Sequence, residues 1–222
     1  MKNHIIVIGG SGSLGFRICK ALTEILPDKH IVVGDYKLER GKQTARKLKN
    51  ASAAFVNIHE YSSIEKSITC ETVCMIVAVK QSEPMIQVIC VRHSTPCIDL
   101  TTFTEFTNKV IEQVPTISCS SVIMSGFFPG MSGIAVKEGI ANFSQVDRVA
   151  VSLVQNSQAN VGLTGMRDML NIISKPLKNR AGFVKKHSIK LANKQYYPRE
   201  IHHDEIAILQ EHLEIPKLKF YT

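Results

Sequence analysis

Residues 5–15 read IIVIGGSGSLG, a short apolar run that passes directly into a glycine-rich turn. A run of this length, bounded by glycine, is typical of a buried strand. The glycines Gly10, Gly12 and Gly15 then follow at the spacing Gly-x-Gly-x-x-Gly. Apolar side chains recur beyond them at helical spacing, at Leu14, Ile18, Ala21, Leu22 and Ile25, before Pro27 ends the pattern. The chain therefore opens with a strand, a glycine turn and a helix.

Each glycine of this turn removes a Cβ from a place where one would obstruct. We expect Gly10 in the tight turn, Gly12 beneath a pyrophosphate and Gly15 where the helix packs on the strand. Backbone N–H groups and the positive end of the helix dipole then face the phosphates of a ligand. The turn predicts a dinucleotide site. Its predicted cofactor-binding residues are Gly9, Gly10, Ser11, Gly12, Ser13, Leu14 and Gly15.

A second predicted strand, residues 30–35, ends in the carboxylate of Asp35, twenty residues beyond Gly15. A carboxylate at this position can accept hydrogen bonds from an adenosine ribose. Asp35 favours a free 2′-hydroxyl and repels a 2′-phosphate, whereas Lys37 and Arg40 nearby would partly reverse that preference. We therefore predict NAD as the cofactor, with NADP as the alternative. Ala78, at the end of a later strand, is the remaining predicted cofactor-binding residue.

The alternation of strands and helices continues to residue 125. Strands are predicted at 53–57, 73–79, 97–100 and 116–124, and helices at 38–49, 62–68, after Glu83-Pro84 and at 104–114. This alternation implies right-handed crossovers and a parallel sheet. With the first two strands it completes an α/β, Rossmann-like doubly wound sheet of six strands, which we assign to a dinucleotide-binding domain, residues 1–125.

The pattern changes beyond Gly126. Helices are predicted at 131–143 and 163–173, a strand at 149–154, and irregular strands and turns at 181–201 after a break at Lys175-Pro176. Residues 126–222 are accordingly predicted to be a second, smaller α+β domain.

Composition and charge restrict the kinds of partner. The 222 residues are 44% hydrophobic and carry a formal net charge of +8, with basic clusters at 37–49 and 175–199. The first cluster is typical of the solvated face of an amphipathic helix, and the second has few interleaved aromatic residues. We therefore expect no nucleic-acid partner, and a basic surface that attracts an anionic cofactor and a small-molecule substrate. No apolar run reaches about 18 residues and no signal segment is evident, so we expect a cytoplasmic protein without a membrane partner.

The cysteines and histidines do not predict a metal site. The six cysteines lie mostly in apolar contexts without a paired Cys-x-x-Cys motif, so we expect reduced core thiols. His202, His203 and His212 have no acidic or thiol neighbour spaced as a third ligand. No metal is therefore assigned.

Four stretches of the chain together resemble the saccharopine dehydrogenase-like family. They are Gly9 to Gly15, Asp35, Cys97-Ile98-Asp99-Leu100-Thr101 and Gly126-Phe127-Phe128-Pro129-Gly130-Met131-Ser132. Members of this family join a Rossmann domain to a mixed α/β domain for substrate binding and dimerisation. The family often has an acid where this chain has Phe128. Its members are also considerably longer, so the resemblance implies a C-terminally shortened protein. It also implies that residues 126–222 are part of a substrate or dimerisation domain.

The resemblance implies an NAD(P)-dependent oxidoreductase that transfers a hydride on a small amino-acid-like metabolite, and it allows a homodimer. Two alternatives stay open: a truncated, non-catalytic dinucleotide-binding or dimerisation module, and an atypical NmrA-like relative of the short-chain dehydrogenases. The Tyr-x-x-x-Lys pair of active short-chain dehydrogenases is absent. Catalytic residues are not assigned; the candidates weighed for proton transfer are Lys80, Glu83, Asp99, His187 and His203.

Overall fold

A computed structural model describes residues 3–100, 103–114, 119–154, 162–177 and 187–222. The chain divides into two compact units, Met1–Gly126 and Phe127–Thr222. Among the described residues, no helix is long and apolar enough to cross a membrane. The predicted Thr101, and parts of the predicted segments 116–124 and 181–201, lie outside the described residues.

Strands and helices alternate through the whole described part of the first unit. In chain order they are β1 (His4–Ile8), α1 (Ser13–Ile25), β2 (His30–Asp35), α2 (Leu38–Ala45), β3 (Ala51–Phe55), α3 (Tyr61–Ser67), β4 (Thr72–Val77), α4 (Met85–Arg92), β5 (Cys97–Asp99), α5 (Thr104–Gln113) and β6 (Ser121–Val122). The strands form one parallel sheet in the order β3-β2-β1-β4-β5-β6. The predicted Rossmann-like doubly wound sheet is therefore confirmed. Its strand order reverses between β1 and β4, the point at which such sheets bind ligands.

The apolar run of β1 lies at the centre of this sheet and is buried on both faces. Ile6 and Ile8 pack into a cluster with β4 and α4, whereas Ile5 and Val7 pack into a second cluster with α1 and β2. A strand covered on both faces needs apolar side chains in both alternating sets. This double burial is why the strand reads as a continuous apolar run in the sequence.

Among the described residues of the first unit, helix α2 and strand β6 differ most from their predicted bounds. Helix α2 ends at Ala45 rather than at residue 49, because the backbone tightens there: the N–H of Lys47 bonds to Thr44 O, three residues back. The chain then starts β3 at Ala51. Within the described residues β6 is limited to Ser121–Val122, since β5 offers it only two paired positions.

The second unit is an α+β assembly. Its described elements are α6 (Met131–Ile140), β7 (Val149–Ser152), α7 (Leu163–Ser174), β8 (Ile189–Leu191), β9 (Lys194–Tyr196), β10 (Glu200–Ile201), α8 (Glu205–His212) and β11 (Leu218–Tyr221). Strand β11 is central, parallel to β7 and antiparallel to β10, while β8 and β9 form a separate hairpin. Helix α6 and strand β7 end before the predicted residues 143 and 154, and in β7 the pairing with β11 stops at Ser152. Val136, Ile201, Leu218 and Phe220 belong to its core.

Candidate functional site

The glycine turn between β1 and α1 packs closely on its neighbours at two of its glycines. Gly9 has a φ of +76°, and a Cβ there would overlap Val79 Cγ1 of the segment after β4. A Cβ on Gly15 would overlap the carbonyl oxygen of Gly9 and lie 2.8 Å from Gly10 Cα. Gly9 requires glycine because of its positive φ, and Gly15 requires it because the atoms that a Cβ would meet are backbone atoms, which cannot move aside.

Gly12 differs because the space that a Cβ would occupy there is open. The only described atom within 4 Å of a Cβ built on it is Gly9 O, at 3.2 Å. Gly12 is also the N-cap of α1, and among the described residues no side chain caps this helix and no acid occupies its first turn. The positive end of the helix dipole therefore faces the open side of the turn, as in sites that bind phosphate.

Ser11 adds a polar group to the same turn. Its hydroxyl oxygen is buried and has no hydrogen-bond partner among the described residues. A buried polar group left in this state costs about 1–3 kcal/mol. A phosphate oxygen beside the turn would accept the hydroxyl hydrogen and remove that cost. The turn therefore fits the pyrophosphate of a dinucleotide in its charge, its shape and its one unsatisfied hydroxyl.

Asp35 and Ala78 both adjoin this turn. Gly34 O, next to Asp35, accepts a hydrogen bond of 2.8 Å from Gly9 N, and Ala78 N donates one of 2.9 Å to Ile8 O. The Asp35 carboxylate is buried and bonded to Arg40 and to the backbone of Lys37. The structure thus brings the predicted cofactor-binding residues to one edge of the sheet.

Lys80 follows directly after the segment that packs on Gly9. Its side chain is exposed, and its ammonium group lies 4.4 Å from the centroid of the Phe103 ring. Attraction between a cation and an aromatic face restrains such a side chain. Lys80 is therefore an exposed residue beyond the carboxyl end of β4.

Asp99 has a different environment, although the sequence also places it at a strand end. Its side chain is fully buried, and Oδ2 accepts hydrogen bonds from Gln81 Nε2 at 2.7 Å and Gln87 Nε2 at 2.5 Å. These bonds tie the loop after β4 and the first turns of α4 to the end of β5. Asp99 thus supports this loop from beneath. The two glutamines were not predicted; the only sequence signal for Gln87 is that it is an amide within the apolar run of α4.

Glu83 holds the outer side of the same loop. Its carboxylate lies 2.6 Å from Lys109 Nζ, which also donates to Ser82 O at 3.0 Å. The hydrogen bond from Lys109 lowers the pKa of Glu83, and the same bond raises the pKa of Lys109. The loop that carries Lys80 is therefore fastened on its buried and its exposed sides.

The six cysteines are free thiols, and several are buried in the first unit. Burial raises the pKa of Cys19 to about 12. The pKa of Cys97 is raised well above its usual value, first by a hydrogen bond with Cys90 and then by burial. These groups are protonated near neutral pH, which makes them poor nucleophiles and poor metal ligands.

The junction motif of the second unit is fastened by a carboxylate from a distant helix. Glu205 accepts hydrogen bonds from Gly130 N at 3.0 Å and from Ser132 Oγ at 2.7 Å, at the start of α6. Phe128 stands where the family often has an acid. The centroid of its ring lies 4.4 Å from that of the His203 ring and 5.2 Å from that of the Phe220 ring. The phenylalanine at position 128 therefore contributes to the core of this unit. Glu205 was not among the predicted site residues.

The two candidate histidines do not share one site. His203 is 2% exposed, and its Nδ1 accepts a hydrogen bond of 3.1 Å from Glu205 N. His187 stacks on Tyr221 with ring centroids 4.7 Å apart. Both rings are therefore engaged in the packing of the second unit.

A groove of about 760 Å³ opens between α6 and β7 in the same unit. Its apolar lining includes Val136, Ile140, Phe143, Val149 and Val151. None of the proton-transfer candidates from the sequence lines it.

No family model matches the sequence, and no curated protein matches it significantly. Among solved structures, the chain is similar to apo saccharopine dehydrogenase (L-Glu forming) from Saccharomyces cerevisiae, with a TM-score of 0.68 and 12% identity. The similarity covers all of this chain and 55% of that one, so the chain spans about half the length of the enzyme that it resembles. The resemblance predicted from the sequence is thus confirmed as a shared fold.

Two further solved structures overlap less well. They are a putative D-mannonate oxidoreductase from Haemophilus influenza with bound NAD and 3-hydroxyacyl-CoA dehydrogenase type-2 from Mycobacterium avium. Both are 12% identical; their TM-scores are 0.38 and 0.39, and the matches cover 81% and 82% of this chain and 83% and 84% of theirs. At this level of overlap they add nothing to the fold assignment.

Proposed function

We propose that the chain binds a nicotinamide dinucleotide through its first unit and acts as an oxidoreductase of the saccharopine dehydrogenase type. The observation that carries this proposal is the glycine turn at the β1/β4 switch point, with its open face at Gly12 and the buried hydroxyl of Ser11. The shared fold with the yeast enzyme supports the reaction type. The substrate proposed on that basis is a small amino-acid-like metabolite oxidised or reduced at a carbon–nitrogen bond.

In such a reaction, the residues of this chain bind the cofactor and orient the ligands. The turn holds the pyrophosphate, and the nicotinamide, when bound, supplies or accepts the hydride. Lys80 presents a positive charge at the carboxyl end of β4, the edge where ligands lie in doubly wound sheets. The bonds of Asp99 and Lys109 keep that charge in place by fixing the loop.

Among the candidates in the first unit, Lys80 is the best placed to meet a substrate. Asp99 is fully buried under the loop, and Glu83 is paired with Lys109. Lys80 alone of these three combines exposure with a position next to the segment that packs on the glycine turn. We assign it substrate or cofactor contact, and we assign no proton donor.

A non-catalytic dinucleotide-binding module is the second candidate. It is favoured by one observation: both carboxylates near the loop, those of Asp99 and Glu83, are committed to bonds within the unit. This candidate shares the cofactor site with the first and differs in lacking turnover.

A titration of the purified chain with NADH and NADPH tests the cofactor site. We expect binding of at least one of them in the micromolar range, and a loss of at least tenfold in the Gly12→Val variant, because its side chain would fill the open face of the turn. Gly139→Ala is the matched control, since a Cβ there meets no described atom within 4 Å. Failure of both nucleotides to bind at millimolar concentration would contradict the proposed cofactor site.

A turnover assay then separates the two candidates. Oxidation of the reduced nucleotide in the presence of amino acid and oxo-acid pairs, measured as loss of its absorbance, supports the oxidoreductase. Binding without turnover on any such pair supports the module.

A further inference from the structure

The groove between α6 and β7 in the second unit has apolar walls. Val136 and Ile140 lie one turn apart on α6, and Val149 and Val151 lie on the same side of β7. All four line the groove, whose volume of about 760 Å³ is in the range of sites that bind small molecules. The walls therefore favour a ligand with a large apolar part.

The side chains of this unit leave the groove open along α6. Phe143, which lines it, is 67% exposed. Gly139 also lines the groove, and a Cβ built on it meets no described atom within 4 Å. Glycine weakens a helix relative to alanine, and the helical backbone at Gly139 does not need it. Gly139 thus keeps a space beside α6 that a larger residue would fill.

Two basic residues lie side by side at the end of the groove where β7 begins. Arg148 directly precedes β7 and Lys217 directly precedes β11, and these strands run parallel with Val149 opposite Leu218. Val149 N donates a hydrogen bond of 2.8 Å to Lys217 O, which holds the two strand starts together. Both basic residues line the groove and are exposed, and within the described ranges no hydrogen bond or ion pair engages either side chain.

The charge at this end of the groove is positive overall. Among the described lining residues the acid is Asp147, whose carboxylate accepts a hydrogen bond of 3.3 Å from Gln145 Nε2. Arg148 and Lys217 therefore place two positive charges against one negative charge beside an apolar space. An anionic head group joined to an apolar chain matches both features, whereas a neutral apolar ligand matches only the second.

We propose that this groove binds a fatty acid, with the acyl chain between α6 and β7 and the carboxylate at Arg148 and Lys217. The inference goes beyond the proposed function and does not depend on the cofactor site of the first unit. A guanidinium group can donate two parallel hydrogen bonds to a carboxylate, and an ammonium group adds a compact point charge. Burial of the acyl chain supplies the rest of the affinity, about two- to fourfold for each methylene group.

The test is a calorimetric titration of the purified chain with octanoate, decanoate and decanol, each below the concentration at which it aggregates. Decanoate should bind about 4- to 16-fold more tightly than octanoate, because it adds two methylene groups. Decanol has the same chain length without the charge, and it should bind roughly tenfold more weakly than decanoate. Arg148→Gln and Lys217→Gln should each weaken decanoate binding by roughly fivefold and leave decanol binding unchanged. Lys137→Gln is the matched control, since Lys137 is an exposed basic residue of α6 that does not line the groove.

A second variant tests the position of the acyl chain. Gly139→Leu places a good helix former in the space beside α6, so it should fold and weaken the binding of both decanoate and decanol by roughly tenfold. Gly139→Ala adds only a Cβ, which meets no described atom within 4 Å, and it should change either affinity by less than about threefold.

Equal binding of decanoate and decanol overturns the inference, and so does full affinity for decanoate in Gly139→Leu. Failure of decanoate to bind also overturns it. A dimer of the unmodified chain that Gly139→Leu dissociates would show that a second copy covers the groove, and this result would overturn the inference as well.

Discussion

Replacement of Asp99 by alanine is expected to destabilise the first unit by about 2–6 kcal/mol, since it leaves two buried amides unsatisfied at about 1–3 kcal/mol each. The amides belong to Gln81, 7% exposed, and Gln87, fully buried, and both donate to Asp99 Oδ2. At about 2–4 °C per kcal/mol for a chain of this size, the melting temperature should fall by roughly 5–20 °C. Asp99→Asn should cost less, because its side-chain carbonyl can still accept a hydrogen bond.

The assay is thermal unfolding followed by circular dichroism, with nucleotide binding measured below the transition. Glu83→Gln is the control, since it alters an exposed carboxylate of the same loop, and we expect little change in melting temperature from it. Gln87→Leu combined with Asp99→Asn should be less destabilising than the sum of the two, because the partners contact each other. An Asp99→Ala variant with the same melting temperature as the unmodified chain but without turnover would refute the structural role and make Asp99 a catalytic residue.

Two further predictions concern Lys80 and Cys19. Lys80→Met should weaken binding of a carboxylate substrate or of the nucleotide by about tenfold. It should not lower the melting temperature, because the side chain is exposed. Steady-state kinetics and binding measurements check this, and unchanged values for both ligands would contradict the role given to Lys80. For Cys19, burial raises the pKa from 9.0 to about 12, so the unfolded chain releases this proton at lower pH than the folded one. Stability should therefore fall as the pH rises from 9 towards 12, and Cys19→Ala should reduce this dependence in unfolding curves recorded over that range.

The succession of strands and helices along the first unit could be predicted from the sequence because its signals are local. The apolar run of β1, the glycines after it and the periodic side chains of α1 are all contained within residues 4–25. The predicted ends of α2 and β6 were wrong because both depend on neighbours: α2 must stop for the chain to enter β3, and β6 pairs with β5 only as far as Val122.

The bonds that fix the loop after β4 and, in the second unit, the start of α6 were largely hidden because they join residues far apart in the chain. Gln81 and Gln87 meet Asp99 across 18 and 12 positions, and Glu205 meets Gly130 across 75. No spacing rule connects such pairs. Arg40 and Asp35 are only five positions apart, yet the sequence alone could not show that the guanidinium uses both carboxylate oxygens.

Strand β11 also affects when the second unit can fold during synthesis. It is the central strand of the three-stranded sheet, and its partners β7 and β10 precede it in the chain. The fully buried Phe220 lies at its middle. The ribosome delivers β11 about 65 residues after β7, and during that interval the apolar side chains of β7 are available to chaperones and to other nascent chains. The first unit is complete well before that point and can close on its own, since domains fold as units as they emerge.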